Sequence, residues 1–244
     1  ALRAAPTSLL DRHPVGSMLR WNEPSGACPY SGAGGHARPV RALATFRRCG
    51  SHDREACDAT VEIARRYGAK VVSIDKAEFT FGRALNRGIA AAEGDVCVFP
   101  SAHIYPVYDT WIQKLAAPFT DERVVLAYGR QVGGERNKFS EHRICSRWFP
   151  AESVSPQRGY FCNNANCAVR RSAWESRPYD ETLTGLEDLA WAKGAQEAGG
   201  WLAYVAEAEI VHVHDESWAQ VRNRYRREAM AMRVIDDSAK FTML

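Results

Sequence analysis

The sequence predicts an α/β fold built as one domain. Two observations carry this. From residue 58 onward short β-branched runs alternate with helical stretches, and 244 residues that are 45% hydrophobic and 25% charged suffice for one sizeable core. No internal repeat interrupts the order, so the alternation belongs to a single unit spanning 1–244.

The elements follow in order. Asp58 can cap a helix, ATVEIARRYG, that closes at Gly68, and KVVSID (70–75) reads as a buried strand. RALNRGIAAAEG (83–94) is a helix ending on Gly94, and DVCVFP (95–100) is the next strand. A helix over 109–117 leads to the strand VVLAYG (124–129), followed by a long loop through Pro150 and Pro156. NCAVRR (166–171) is again strand-like. LEDLAWAKGAQEAG (186–199) is a helix stopped by Gly199 and Gly200; WLAYV and EIVHVH supply two strands before a polar C-terminal helix. Residues 24–56 do not fit this order. They are dense in Gly, Pro, Arg, His and Cys, show little apolar periodicity, and receive no strand. One explanation is that a GC-rich gene is read out of frame there, with the frame restored near Asp58; translating the alternate frames of the source DNA tests it, and an absence of any apolar strand in them rejects it.

Composition narrows the function classes. The net charge is +3, from 32 basic and 29 acidic residues, so no strong field favours nucleic acid. No apolar run approaches the ~18 residues of a membrane span, and the opening ALRAAPTSLLDRHPVG lacks the apolar centre of a secretory signal. Seven cysteines without a CxxC pair argue against a disulfide framework and a zinc cage, which suits a reducing cytosol. Cys97, inside DVCVF, reads as a small core residue. The basic stretch VRNRYRRE (221–228) reads as a solvated helix face or a peripheral membrane contact.

Four tracts carry candidate chemistry. In TLTGLEDLAWAKGAQEAG (182–199), Thr184 precedes Glu187 at capping-box spacing, which leaves Asp188 free. A carboxylate in the first helical turn is favoured in its ionised form by the helix dipole, and an ionised carboxylate can take a proton from an attacking hydroxyl. The plainer reading is two acids stabilising a helix start. Ser101-Ala102-His103 follows the DVCVFP strand, and ligands in open α/β sheets collect beyond the carboxyl ends of strands. His103 there is a phosphate or metal contact, or a surface-turn histidine. His212 and His214 in HVHDE share one face of a strand and can bind a transition metal or serve structure. The amide-rich FCNNANCAVRR (161–171) can hydrogen-bond a polyhydroxylated ligand or simply turn before a strand.

Taken together, DATVEIARRYGAKVV, GRALNRGIAAAEGDVCVF, SAHIYP, Trp111, LAAPF, AYGRQ, NNANCAVRRSAW, PYDETLTGLEDLAWAKGAQEAG and AEIVHVH resemble a family 2 glycosyltransferase of the bacterial polysaccharide and rhamnosyltransferase-like sort. Each piece is weak alone, but their joint order over 58–235 is specific. The resemblance implies a GT-A domain, a mixed central sheet flanked by helices whose N-terminal strands are unread here. It implies an inverting enzyme that moves a sugar from a nucleotide diphosphate donor to a glycan or lipid-linked acceptor at the inner face of the membrane. Asp188 is the implied base, paired with Glu187. Asp58, Arg83, Asn86, Arg87, Ser101 and His103 fall on the donor side; Asn163, Asn164 and Trp191 fall on the acceptor side.

The chain departs from the family pattern in two places. Family members commonly carry Asp-x-Asp, whose last acid holds Mg²⁺ or Mn²⁺, where this chain has Ser101-Ala102-His103. Either His103 takes the ligand role with His214 as a second ligand, or Arg83, Asn86 and Arg87 steady the leaving diphosphate with less help from metal. MLRWNE (18–23) resembles the family's opening strand and Asn-Glu turn, but its second, acid-ended strand is not recognisable; Asp53 and Asp58 are what lie near. The end, DDSAKFTML, stops as though the natural chain ran on. Rival readings are a non-catalytic or damaged binding relative, and a nucleotidyltransferase using SGAGGHARP (31–39) as a glycine-rich loop.

Overall fold

A computed structural model of the chain describes residues 43–47 and 61–237. MLRWNE, Asp53 and Asp58, and with them the donor contact expected of Asp58, lie outside the described residues. Two sheets carry the architecture. In the first, β1 (Leu43–Arg47) pairs in parallel with β2 (Lys70–Ile74), in the register Leu43 to Lys70 through Arg47 to Ile74. β1 corrects the sequence reading, which placed no strand within 24–56. Five residues between Arg- and Gly-rich flanks are too few for periodicity to register. β2 is less buried than its apolar run suggests, with Ile74 alone sealed, because it lies in a two-stranded sheet.

The second sheet has the order β3-β6-β5-β7-β4, formed by Val96–Pro100, Asn166–Arg170, Val124–Gly133, Trp201–His212 and Ile104–Pro106. β5 and β7 are parallel; the other three pairings are antiparallel, so the sheet is mixed as expected. The runs WLAYV and EIVHVH are one strand, not two. The first pairs with 124–129 of β5, and the second resumes at Gln131 opposite Ile210 after a register shift. The shift leaves the two strands ending level, His212 opposite Gly133, with His214 just beyond the end of β7.

Helical residues 61–66 (α1) stop at Gly68, whose φ of +70° is the left-handed conformation glycine tolerates best. α2 is Phe81–Ala91, capped by the Thr80 hydroxyl accepting from the Arg83 N–H; it starts before, and ends before, the expected 83–94. Trp111–Ala116 (α3) runs into a short 3-10 turn, Ala117–Thr120. The expected loop after β5 contains α4 (Phe139–Trp148), and β6 leads straight into α5 (Arg171–Ser176). Both were missed because their polar residues outnumber the apolar ones. α6 (Glu187–Glu197) and α7 (Trp218–Ile235) follow, the latter held at its start by a capping box between Ser217 and Gln220.

The core lies on both faces of the five-stranded sheet. One face packs Phe99, Leu126, Tyr128, Val169, Leu202 and Tyr204 against α2 and α6, with Trp191 among them. The other packs Trp111, Leu115 and Phe119 over Ala127, Ala168, Ala203 and Ile210. Cys97, Cys162 and Cys167 are buried core residues. Asn166 is fully buried and pins three strands: its Oδ1 accepts from Trp111 Nε1 at 2.8 Å, and its Nδ2 donates to the Ala208 and Arg130 carbonyls. No helix among the described residues is long and apolar enough to cross a membrane.

Candidate functional site

Four chain segments meet at the carboxyl ends of β3 and β7. The turn Ser101-Ala102-His103 leaves β3 and is sewn in place by two backbone bonds, from Ser101 N to Ala165 O and from Val213 N to His103 O, each 3.0 Å. The end of β7 therefore brings its histidines against His103. The His103 and His212 rings stack at 4.7 Å between centroids, and His214 lies 4.2 Å from His212 and 5.3 Å from His103. One nitrogen from each ring can be chosen so that the three lie within 4.8 Å of one another.

The environment keeps two of these rings neutral. Burial lowers His103 to about 4, helped by the neighbouring His214, and burial holds His212 well below its ordinary value. Neutral imidazoles are the form that offers a lone pair to a metal. His212 Nδ1 hydrogen-bonds Gln131 Oε1 at 2.8 Å, and His214 Nδ1 hydrogen-bonds Glu141 Oε1 at 2.9 Å. Burial works upward on the Glu141 carboxyl, but the His214 hydrogen bond and Arg224 hold it below its ordinary value. Arg224 Nη2 bonds both Glu141 and Glu216. Thus His103 and His214, the metal pair expected in sequence, lie together, and His212, which the sequence set on one face with His214, lies between them. Gln131 and Glu141 were not anticipated. For Glu141 a signal existed: it shares the inner stripe of α4 with Cys145, continued by Phe149 at the C-cap, where an acid is out of place unless it has partners.

The carboxylate pair is built differently from the capping box its spacing suggested. The N-cap of α6 is Leu186, in left-handed geometry at φ 56°, and no side chain caps the helix. Glu187 is therefore the first helical residue, not the third, and it cannot reach back to Thr184. Both acids are buried, each 8% exposed. Asp188 is not free: its Oδ2 accepts from the Asn164 N–H at 3.0 Å and its Oδ1 from the Leu189 N–H at 2.9 Å. Burial, then the Asp188 charge, pushes Glu187 up to about 8. Burial also raises Asp188, although the backbone N–H groups of Asn164 and Leu189 pull the other way. The helix dipole expected to favour the ionised form is outweighed by desolvation. The two carboxyls are close enough to titrate as a unit, and their burial favours a proton on the pair.

Asn163 and Asn164 connect the halves. Gln131 Nε2 donates to Asn163 Oδ1 at 3.0 Å, and Asn164 Nδ2 approaches Glu187 Oε1 at 3.4 Å. An unbroken path thus runs from His212 through Gln131 and this turn to Glu187 and Asp188. Asn164 Oδ1 is buried without a protein partner, an acceptor left over for another group.

Other expected site residues lie elsewhere. Trp191 is 2% exposed, its Nε1 is spent on the Arg177 carbonyl, and its ring stacks on Tyr179, so it is a core residue with no face open to an acceptor. Asn86 has its amide consumed, accepting from Trp174 Nε1 and Tyr179 N and donating to Tyr179 O and Glu181. It brackets α2 to the 174–181 segment, which corrects both the donor contact and the solvent face considered for it. Arg83 pairs with Glu181 at 2.7 Å and Arg87 with Glu78 at 3.2 Å, so both cations are already met. Gly82 explains why α2 can come so close: a Cβ there would collide with the Asp180 backbone. The basic stretch 221–228 divides by face. Arg224 turns inward to its carboxylates, the Arg227 cation acts on Glu187, and Arg222 and Arg226 are exposed.

With this geometry in hand, the similarities to known proteins can be placed. Residues 53–177 match Glycosyl transferase family 2. The O-antigen chain rhamnosyltransferase WbaN of Salmonella anatum is 26% identical over 184 residues, 71% of this chain and 58% of that protein. The O-antigen chain rhamnosyltransferase RfbN of Salmonella typhimurium is 25% identical over 71% of this chain and 59% of its own length. The chain thus spans rather more than half of these relatives. Among solved structures, the mannosyltransferase PcManGT from Pyrobaculum calidifontis, in complex with GDP-Man and Mn²⁺, superposes with a TM-score of 0.58 at 12% identity, covering 79% of this chain and 52% of that one. Glucosyl-3-phosphoglycerate synthase from Mycobacterium tuberculosis, with Mn²⁺, UDP-glucose and phosphoglyceric acid, superposes with a TM-score of 0.54 at 18% identity over 83% and 72% of the two chains. At such identities these structures establish the α/β GT-A-like fold, as the sequence led us to expect.

Proposed function

The chain belongs to glycosyl transferase family 2, and from that premise we propose that it is an inverting enzyme that moves a sugar from a nucleotide diphosphate donor to a glycan or lipid-linked acceptor. The observation that carries this reading is the hydrogen-bonded path from His212 through Gln131, Asn163 and Asn164 to Glu187 and Asp188. It holds a group suited to an anionic donor and a group suited to taking a proton in one fixed frame.

In the reaction, the acceptor hydroxyl oxygen bonds to the anomeric carbon as its proton passes to the Asp188 carboxylate. The bond from that carbon to the diphosphate breaks, and its electron pair leaves on the phosphate oxygen. Attack from the opposite side inverts the configuration. The two backbone N–H bonds fix the direction of the Asp188 carboxylate, and burial beside Glu187 raises its basicity toward that of an effective proton acceptor. The imidazoles of His103 and His214 fit a divalent ion such as Mn²⁺, which when bound would neutralise charge on the diphosphate. WbaN and RfbN, as O-antigen chain rhamnosyltransferases, suggest a deoxyhexosyl donor and a growing polysaccharide as acceptor. Calorimetry with UDP, GDP and dTDP, with and without Mn²⁺, tests the donor half. Saturable binding of at least one nucleotide is expected; no heat with any of them removes the reading.

A lipid-linked acceptor agrees with the outer face of α7. Trp218 (71% exposed), Arg222, Tyr225, Arg226, Met230 and Arg233 lie along it at helical spacing, aromatic and basic together. We expect binding to vesicles of mixed phosphatidylcholine and phosphatidylglycerol, weakened by salt and by Arg222→Glu with Arg226→Glu. Equal sedimentation with purely zwitterionic vesicles, or none with either, rejects this contact.

A further inference from the structure

We propose that Arg227 is a phosphate-binding residue: from the inner side of α7 its guanidinium takes the phosphate or diphosphate of a substrate beside the Glu187–Asp188 pair. The inference rests on the function proposed above for the identity of that substrate, because a nucleotide sugar and a lipid-linked acceptor both present a diphosphate. The anion site itself stands on the residues around Arg227.

α7 covers the site with one face. Val221 and Ala231 are buried, Met232 and Ile235 pack against the core, and Arg224 between them turns to Glu141 and Glu216. Arg227 follows Arg224 by three residues and so lies on the same side of the helix. Its guanidinium carbon stands 5.7 Å from the centre of the Phe81 ring, the first residue of α2, and its charge acts on Glu187, the first residue of α6. Glu228, next along, feels the Asp188 carboxylate. The cation is thus placed between the two helix starts that border the carboxylate pair.

Arg227 differs from the cations around it in having nothing to hold. Arg83 pairs with Glu181, Arg87 with Glu78, and Arg224 with Glu141 and Glu216. Arg227 Nε, by contrast, is buried and has no hydrogen-bond partner among the described residues. A buried donor left open is destabilising until an acceptor reaches it. Neither neighbouring carboxylate fills that place: Glu228 lies 3.9 Å from Arg224 Nη1, and Glu187 Oε1 is approached by Asn164 Nδ2 at 3.4 Å. The edge formed by Nε and one Nη is the part of a guanidinium that grips two oxygens of a phosphate at once. A phosphate brought beside Glu187 and Asp188 would be repelled by their charge, and a cation at this position offsets the repulsion.

The test is calorimetry on the full chain with UDP, GDP, dTDP, inorganic diphosphate, and geranyl diphosphate as a short, soluble lipid diphosphate, comparing the wild type with Arg227→Met and Arg227→Lys. Methionine keeps an aliphatic stem beside Phe81 and removes no hydrogen bond made by Nε, so the variant should fold, which circular dichroism checks. Arg227→Met should weaken inorganic diphosphate and at least one organic diphosphate by about 10- to 100-fold, the range for a charge-assisted hydrogen bond, and Arg227→Lys should recover part of the loss. Loss among the nucleotides assigns Arg227 to the donor; loss confined to geranyl diphosphate assigns it to a lipid-linked acceptor. Arg66→Met, which removes an exposed cation from α1, should leave every affinity unchanged. A residue that served only as a counter-charge for Glu187 would move the melting curve and leave these affinities alone. Unchanged affinity for every diphosphate in a folded Arg227→Met protein, an equal loss in Arg66→Met, or no diphosphate binding to the wild type overturns the proposal. If the wild type binds inorganic diphosphate through Arg227 but no nucleotide, the glycosyl-transfer reading fails and this site stands. If nucleotides bind and no diphosphate distinguishes Arg227→Met from the wild type, the reverse holds.

Discussion

Asp188→Asn should lower the rate of sugar transfer by about 100- to 10,000-fold, the usual worth of a general base, while leaving nucleotide affinity within about twofold. The substitution is nearly isosteric. An asparagine Oδ1 can still accept from either the Asn164 or the Leu189 N–H, so α6 and the 163–164 turn should keep their places. What is lost is the ability to take a proton from the attacking hydroxyl. Paired measurements of binding by calorimetry and turnover by product release separate these effects. A variant that retains turnover removes Asp188 from the role of base, and one that loses nucleotide binding in equal measure assigns it to the donor pocket instead.

Glu187→Gln should flatten the dependence of stability on pH. The folded-state carboxyl titrates at about 8 against an ordinary 4.5 because it is buried beside Asp188. Between those values the folded protein holds a proton that the unfolded chain has released, so stability falls as pH rises through that window and stays low above it. Each unit of upward displacement corresponds to about 1.4 kcal/mol, so the relief in the glutamine variant above pH 8 is on the order of a few kcal/mol. Below pH 4.5 the two proteins should melt alike, since glutamine mimics the protonated acid. Thermal unfolding from pH 4 to 9 reads the difference. Parallel curves for the two proteins would mean that Glu187 is ionised in the fold and that the shared-proton pair does not exist.

The legible parts of this molecule are those in which local pattern and global fold agree. The β3 and β6 strands, the α6 helix and the two histidines at the end of β7 all stand where period and punctuation placed them. The proximity of His103 to His214 was reachable because the resemblance put both beyond the sheet. Gln131 was not, because an amide near the end of a strand has no spacing of its own, and its bond to His212, two residues beyond its register partner Ile210, depends on how β5 and β7 pair. The same limit explains Trp191, an aromatic residue one turn beyond Glu187 that the fold turns into the core. Thr184 and Glu187 fit the capping-box spacing, yet the left-handed Leu186 delays the helix and voids it. Asn86 illustrates the opposite error: a polar residue on a helix, which reads as solvated, whose four hydrogen bonds reach residues 88 to 95 positions away. Long-range partners of this kind leave no trace in a local window.

If the His103–His214 side and the Glu187–Asp188 side form one active centre for transfer from a nucleotide sugar, turnover of the donor needs both. A donor panel read by NMR tests it most directly, with a Mn²⁺-supplemented protein, no added acceptor, and the anomeric configuration of the freshly released sugar as the signal. The wild type should consume at least one nucleotide diphosphate sugar and release the inverted sugar, and Asp188→Asn should consume none. Release with retained configuration, or equal consumption by both proteins, would contradict the account.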